Sequence, residues 1–407
     1  MAENLAEALG RNTPPCEMIE SLRQELHNDR QEPIAIFTGA GASVLFGYPL
    51  TGALLPQIVE WQDNKDFLCI GMDRDRAIGA KRRRLLRTAL EALIPNVPRK
   101  PGDFPLVTTL LSIIDLAIAQ RQPLWSGFDV SQLRQIRSIF DQAIVEALKE
   151  DEPFTVNGQR DLRRYGCWLR DLRGHGRDVG IITTNYDVSS NWAVLVAAFP
   201  DIALGEWDAT AIAKAIDYGM EWLDPSDDAW MLQTRPPEPH FRCYKLHGST
   251  NWLRCPVCQQ VYVNEAGSIW HQAFRAKIDD LNSCHCSRTK LDVQIVSPSF
   301  VRQMQDVNLL SIWTHAQSFL SRARHWVIIG YSLPEEDISI RALFVRAMRC
   351  RATSLKDAPL RVTVIQHGEK DRAKYETLFG GNDCRLEYVA DGLGPFLDQW
   401  NVSHAQQ

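Results

Sequence analysis

The sequence lacks several features that would place a protein quickly. No unbroken apolar run approaches the ~18 residues a bilayer span needs, so no membrane association is expected. The opening MAENLAEALGRNTPP carries acidic residues and no apolar core, so it does not read as a secretory leader. The expected compartment is the cytoplasm. There is no basic excess: 45 Lys and Arg stand against 50 Asp and Glu, a net charge of −5. That balance argues against direct nucleic-acid binding. The one dense basic run, Lys81-Arg82-Arg83-Arg84, reads first as the solvated face of a helix, with a phosphate- or partner-binding patch as the alternative. No internal repeat is visible. A complete G-x-G-x-x-G is also missing, since Val44 stands where the pattern would continue.

What is present is ordinary globular material. Apolar residues make up 45% and charged residues 23% of 407, which argues against extended disorder. The length implies two or three domains, or one domain with large insertions. Residues 16–30 carry Met18, Ile19, Leu22 and Leu26 at helical spacing. Short apolar runs bounded by turn residues read as buried strands at Ile34–Phe37, Val179–Thr184, Cys243–Leu246, His325–Ile329 and Leu360–Ile365. Between the first two the periodicity is helical, most clearly over Leu106–Ala119 and Leu133–Leu148, with a proline-rich break at Pro95–Pro105. A further helix is expected over Glu335–Arg349, while 190–240 is hard to read. Five strands alternating with helices predict an α/β fold: a Rossmann-like parallel sheet with a large helical insertion and a small zinc-binding module. In such sheets ligands bind beyond the carboxyl ends of the strands.

Polar motifs sit at those ends. Gly39-Ala40-Gly41-Ala42-Ser43 is a strand-to-helix turn whose small residues admit a pyrophosphate to a helix N-terminus, or simply make a tight turn. Asn185 and Asp187 follow the second strand, where both types also serve as helix caps. His247 follows the third strand, where a structural and a catalytic role both remain open. Gly330-Tyr331-Ser332 follows the fourth. Of ten cysteines, Cys255, Cys258, Cys284 and Cys286 form two tight pairs, C-x-x-C and C-x-C, 25 residues apart; they suit a four-thiolate zinc site, with two unrelated buried pairs as the alternative. His285 is a competing ligand. Such a closed site leaves no position for water, so the zinc would be structural. The other cysteines show no pattern, and reduced thiols rather than disulfides are expected.

Taken together these motifs resemble the sirtuin family. That family runs from G-A-G-x-S to G-x-P, T-x-N-x-D, L-H-G, a zinc module and G-[TY]-S-L. This chain has Gly39–Ser43, Gly47-Tyr48-Pro49, Thr183–Asp187, Leu246-His247-Gly248, the cysteine pairs and Gly330-Tyr331-Ser332-Leu333 in the same order. The resemblance covers roughly residues 33–370. It implies NAD as the ligand and substrate, with Asn185 and His247 as the catalytic pair. Gly39, Ala40, Gly41, Ser43, Thr184, Asp187, Gly330 and Ser332 would bind it. Where the family has asparagine near the adenine ribose, this chain has Gln366 and His367.

Two departures narrow the expectation. Deacylases carry Asp-Phe-Arg after their G-I-P, and that ring shields the cleaved ribose from water; here Leu50-Thr51-Gly52 stands instead. Their peptide-pairing Phe-Gly-Glu is replaced by Val296–Arg302. The chain looks more like the sirtuin-like NAD hydrolases of bacterial anti-phage defence. The resemblance therefore implies an NAD glycohydrolase whose activity is held back by self-assembly or by a partner such as a HerA-type ATPase. A protein deacylase and a non-catalytic NAD-sensing assembly module are the alternatives. The expected organisation is an N-terminal helical segment (1–32), a catalytic domain (33–390) containing the helical insertion (53–176) and the zinc module (253–292), and a C-terminal tail (391–407).

Overall fold

The computed structural model describes residues 32–69, 76–124, 128–148, 156–174, 176–200, 209–223, 232–263, 284, 286, 291–296, 306–335, 337–351, 359–381 and 383–402. The helix expected at 16–30 and the competing ligand His285 lie outside them.

The chain enters as β1 (Ile34–Thr38) and turns through the single-turn helix α1 (Ala40–Ser43). A helical stretch follows: α2 (Thr51–Trp61), α3 (Arg76–Leu93), α4 (Val107–Gln120), α5 (Val130–Ala147) and α6 (Val156–Arg173). Next come β2 (Val179–Thr183), α7 (Ser189–Ala198), α8 (Ala209–Ala215), and the short strands β3 (Ile216–Asp217), β4 (Trp222–Leu223) and β5 (Leu232–Gln233). Then β6 (Phe241–Lys245) is followed by β7 (Gly248–Arg254), β8 (Val261–Val263) and β9 (Asp292–Ile295). The final part holds α9 (Val307–Arg322), β10 (His325–Ile329), α10 (Ile338–Arg349), β11 (Leu360–Ile365), α11 (Arg372–Phe379), β12 (Cys384–Val389) and α12 (Leu393–Val402).

Seven strands form one sheet in the order β12-β11-β10-β1-β2-β6-β3, every pair parallel. The α/β fold with a parallel, Rossmann-like sheet is thus observed. β1, β2 and β10 are buried along their whole length, as expected of strands covered on both faces. The direction of winding reverses between β1 and β10, and Thr38, Thr183 and Ile329 end in register there. That reversal is the crevice where such sheets bind ligands.

The sheet has two strands more than the sequence predicts. β12 is an edge strand whose Arg385 and Glu387 interrupt its apolar pattern, and β3 is only two residues long. β3 is nevertheless firmly held. Asp217 is fully buried and accepts from both arms of Arg235 (2.8 and 2.7 Å), from Arg242 (3.2 Å), from Tyr244 Oη (3.1 Å) and from the Gly219 amide (2.8 Å). Burial opposes its charge, but those donors outweigh it and hold its carboxyl below its ordinary value. This cluster ties the 190–240 segment to the sheet edge.

Among the described residues, the segment Pro101–Gln120 is the one helix long and apolar enough to be a membrane-span candidate, by length and composition alone. In the fold α4 buries Val107, Leu110, Leu111 and Ile114, while Asp115 pairs with Arg137 of α5 at 2.7 Å. The basic run falls on α3, where Lys81 and Arg84 are exposed and Arg83 donates to the Phe67 carbonyl at 2.6 Å. α10 begins at Ile338, three residues later than expected. Asp337 gives its carboxylate to Tyr331 Oη (2.8 Å), not to the helix amides. Residues 391–407, read as a tail, contain α12, which packs Phe396 and Trp400 edge-on against Trp168 of α6. A second sheet, β5-β4-β8-β7-β9, has a separate small core of Leu223, Leu253, Cys255, Tyr262 and Cys284.

Candidate active site

The turn after β1 and the turn after β10 are in backbone contact. The Gly41 amide donates to the Gly330 carbonyl at 2.8 Å, and the Gly39 amide to Ile329 at 3.0 Å. Gly330 has φ +59°, and a Cβ there would stand 2.0 Å from the Ala42 nitrogen. A Cβ on Gly41 would meet the Gly330 Cα at 2.9 Å. These glycines are therefore required by packing before any ligand is considered. α1 has only four residues and passes into a 3-10 turn at Val44–Phe46, so the helix start expected to face a phosphate is one turn long.

Asn185 is buried beyond β2. Its Nδ2 donates to the Gly39 carbonyl and to Ser43 Oγ, both at 2.8 Å. The Gly39 carbonyl can only accept, which fixes which end of the amide is nitrogen. Asp187 accepts from the Ser189 amide (2.9 Å) and from Ser189 Oγ, and Ser189 Oγ meets Ser43 Oγ at 3.2 Å. The donors run one way, from Asn185 to Ser43 to Ser189 to the Asp187 carboxylate. Of the two capping readings, Asp187 alone serves the start of α7. Thr184 stays on the strand end, its amide donating to the Thr38 carbonyl at 3.1 Å.

His247 follows β6 and is 3% exposed. Its carbonyl accepts from the Val296 amide at 2.7 Å. Its ring lies 6.2 Å from that of Tyr186 and 6.2 Å from that of Trp313, tilted 33° and 40°. Gly248, at φ +80°, allows the close return beside β9, where a Cβ would lie 2.0 Å from the Gln294 carbonyl. Lys245 is fully buried beneath this site, its Nζ donating to the Asp187 carbonyl and to Asn191 Oδ1 (3.1 Å).

All these strand ends open on one cavity of about 970 Å³, within the usual range of small-molecule sites. Asn185, His247, Ala40, Gly41, Ser43, Thr184, Asp187, Gly330 and Ser332 line it; Gly39 does not. α2, α4 and α12 complete the wall through Leu54, Thr108 and Leu393. Gln366 also lines it, but its Nε2 is engaged by the Tyr331 carbonyl, which Tyr375 Oη also reaches. Nothing in the sequence marks Tyr186, Lys245 or Trp313 as part of the site. Tyr186 occupies the open position of T-x-N-x-D, and the other two belong to no motif.

The four cysteines meet in space. Their sulfurs all lie within 4.8 Å of one another, with Cys255–Cys286 at 3.7 Å and Cys258–Cys284 at 3.4 Å. A tetrahedral zinc with Zn–S near 2.3 Å needs sulfurs roughly 3.8 Å apart, so the arrangement fits. Burial pushes the Cys284 thiol up to about 12, despite a hydrogen bond from Tyr262 Oη at 3.2 Å. A cation bound here would replace those thiol protons.

No family model matches this chain, and no curated protein matches it. Among solved structures, it is similar to a Sir2 mutant with a p53 peptide and NAD, at 13% identity, with 96% of this chain and 99% of that one covered and a TM-score of 0.39. A Sir2–p53 peptide–NAD+ structure is 12% identical over 94% and 98% of the two chains, with a TM-score of 0.41. A Sir2 structure bound to a propionylated peptide is 13% identical over 95% and 98%, with a TM-score of 0.38. Similarity at this level does not bear on the chemistry, and the fold stands on its own strand order.

Proposed function

We propose that this chain is an NAD glycohydrolase, with Asn185 and His247 as its catalytic pair. The supporting observation is convergence. Two residues 62 positions apart in the chain, neither demanded by local structure alone, line one cavity with both glycine turns at the reversal of the sheet.

NAD lies across the reversal, its pyrophosphate near Ala40, Gly41 and Gly330. Its nicotinamide ribose faces the β2/β6 side, and its other nucleoside faces Ser332 and the β11 end. The bond between ribose C1′ and the nicotinamide nitrogen breaks with its electron pair leaving on nicotinamide, and positive charge develops on the ribose. Asn185 is held rigidly by its Nδ2, which leaves its carbonyl oxygen to orient a ribose hydroxyl or the attacking water. His247 takes the proton that water gives up as it adds to C1′. The products are nicotinamide, ADP-ribose and a proton. Leu50-Thr51-Gly52, in place of a shielding aromatic, leaves the ribose open to water. The cysteine cluster would hold a structural zinc, since four thiolates close the coordination shell.

On this reading the protein is an effector of anti-phage defence that depletes NAD, restrained by self-assembly or by a partner such as a HerA-type ATPase. Residues 33–390 form the catalytic domain, with 53–176 and 253–292 as its helical insertion and zinc module. The complete set of module cysteines favours a second reading, an NAD-dependent protein deacylase. Following nicotinamide release from NAD, with and without an acetylated peptide, separates the two. Release without peptide supports the hydrolase; release that requires peptide replaces it with the deacylase. Silence in both arms, with NAD bound, leaves a sensing module or an enzyme awaiting its activator.

A further inference from the structure

We infer that Trp313 is a positioning residue for His247, a role that rests on the catalytic reading above. Trp313 does not line the cavity, so it acts on the reaction only through its neighbour. Its ring packs 6.2 Å from the imidazole, and its Nε1 donates to the carbonyl of Leu246 at 2.8 Å. The same side chain thus fixes the backbone one residue before His247 and the ring of His247 itself. Tyr186 makes a matching pair of contacts after it. Its ring is 6.2 Å from the imidazole, and its Oη donates to the carbonyl of Val296, whose amide in turn holds the His247 carbonyl. An imidazole tied to its surroundings only by its own edge could rotate about its side-chain bonds. Flanking rings registered to the adjacent backbone restrict that rotation, and a proton acceptor must be held close to its productive geometry.

α9 gives Trp313 a firm base. Asp306 caps the helix, accepting from the Asn308 and Leu309 amides at 2.9 Å, and pairs with Arg254 of β7 at 2.6 Å. Asn308 Nδ2 donates to the Gln259 carbonyl at 2.7 Å, in the turn that carries Cys255 and Cys258. Trp313 follows Asp306 by two helical turns. The cysteine module therefore anchors the helix that holds the histidine's neighbour, although it lies apart from the cavity.

The test compares wild type, Trp313→Phe and Trp313→Ala in the full chain. Three readouts are taken: kcat and KM for nicotinamide release, ADP-ribose affinity by calorimetry, and the His247 imidazole signals by NMR, assigned with His247→Gln. Trp313→Ala is expected to lower kcat on the order of 10- to 100-fold, with KM and ADP-ribose affinity within about 2-fold. Its imidazole signals should broaden or shift. Trp313→Phe keeps an aromatic face but loses the donor to the Leu246 carbonyl, and should recover part of kcat and shift the ring signals back towards wild type. Unchanged kcat and ring signals in Trp313→Ala overturn the proposal. So does a joint loss of kcat and ADP-ribose affinity, or a Trp313→Phe variant as impaired as alanine. If wild type releases no nicotinamide, with or without acetylated peptide, the chain is a sensing module or awaits its activator, and kcat is silent. The ring signals still decide the positioning: altered in alanine and shifted back in phenylalanine supports it, and unaltered in alanine overturns it.

Discussion

Asn185 donates its side-chain amide to Ser43 Oγ at 2.8 Å, across 142 residues of sequence, and through it joins the strand end after β2 to the glycine turn after β1. The serine hydroxyl expected to face a phosphate is thus part of the device that holds the asparagine. Asn185→Asp places a carboxylate oxygen against the Gly39 carbonyl, where only a donor fits. Asn185→Ala leaves two acceptors without that donor. Each unsatisfied buried group costs about 1–3 kcal/mol. Both variants should lose NAD cleavage, and thermal unfolding should show aspartate as the less stable of the two. Near-full activity in Asn185→Ala removes Asn185 from the catalytic pair.

The contact of the two glycine turns makes a different prediction. Gly330→Ala puts a Cβ 2.0 Å from the Ala42 nitrogen at a backbone φ of +59°. The loss should fall among the large effects of point mutation, roughly 4 kcal/mol or more, because both the space and the conformation are wrong. It should appear as reduced soluble yield and a lower unfolding midpoint even without NAD. If the glycine served ligand approach alone, NAD binding would fall while the midpoint of the ligand-free protein held.

The sheet centre was legible in the sequence because β1, β2 and β10 are short, mostly apolar runs, buried along their whole length, with turn residues at their ends. β12 was not, because an edge strand alternates: Arg385 is exposed and Tyr388 buried. β3 was not, because it owes its place to Asp217, Arg235 and Arg242, an electrostatic cluster that no local pattern marks. At the candidate site, the residues legible in the sequence are those in strand-end motifs, and most of them line the cavity. Trp313 and Lys245 were not legible, since each matters through what it touches 67 or 58 residues away. The reason for the glycines also lay in a partner turn nearly 300 residues on, beyond the reach of any local reading.

Acid should weaken the fold through His325. Burial, reinforced by Arg361, Arg177 and Arg385, pulls this imidazole from its ordinary 6.5 down to about 3. Its Nε2 meets Thr363 Oγ1 at 2.9 Å. Below about pH 6.5 the unfolded chain takes up a proton that the folded one refuses. Stability therefore falls as pH drops towards the folded value, by up to about 1.4 kcal/mol per pH unit. Urea unfolding between pH 7 and pH 4 should show this slope in wild type and a shallower one in His325→Gln. Equal slopes would assign the acid sensitivity to other groups.

The cysteine module should be the part of the fold most dependent on metal. Its buried core holds five residues, two of them the candidate ligands Cys255 and Cys284. So small a core cannot offset the chain entropy of the strands around it, whereas a structural zinc contributes on the order of 10 kcal/mol to the folding of its site. The purified protein should carry one zinc per chain by elemental analysis. Cys255→Ser or Cys284→Ser should lose it and open residues 253–292 to protease. Because Asn308 and Asp306 fasten α9 to this module, metal loss should also lower kcat for NAD cleavage before the seven-stranded sheet unfolds. A chain that holds no zinc and still resists protease across the module would show that the thiols are a packed cluster, not a metal site.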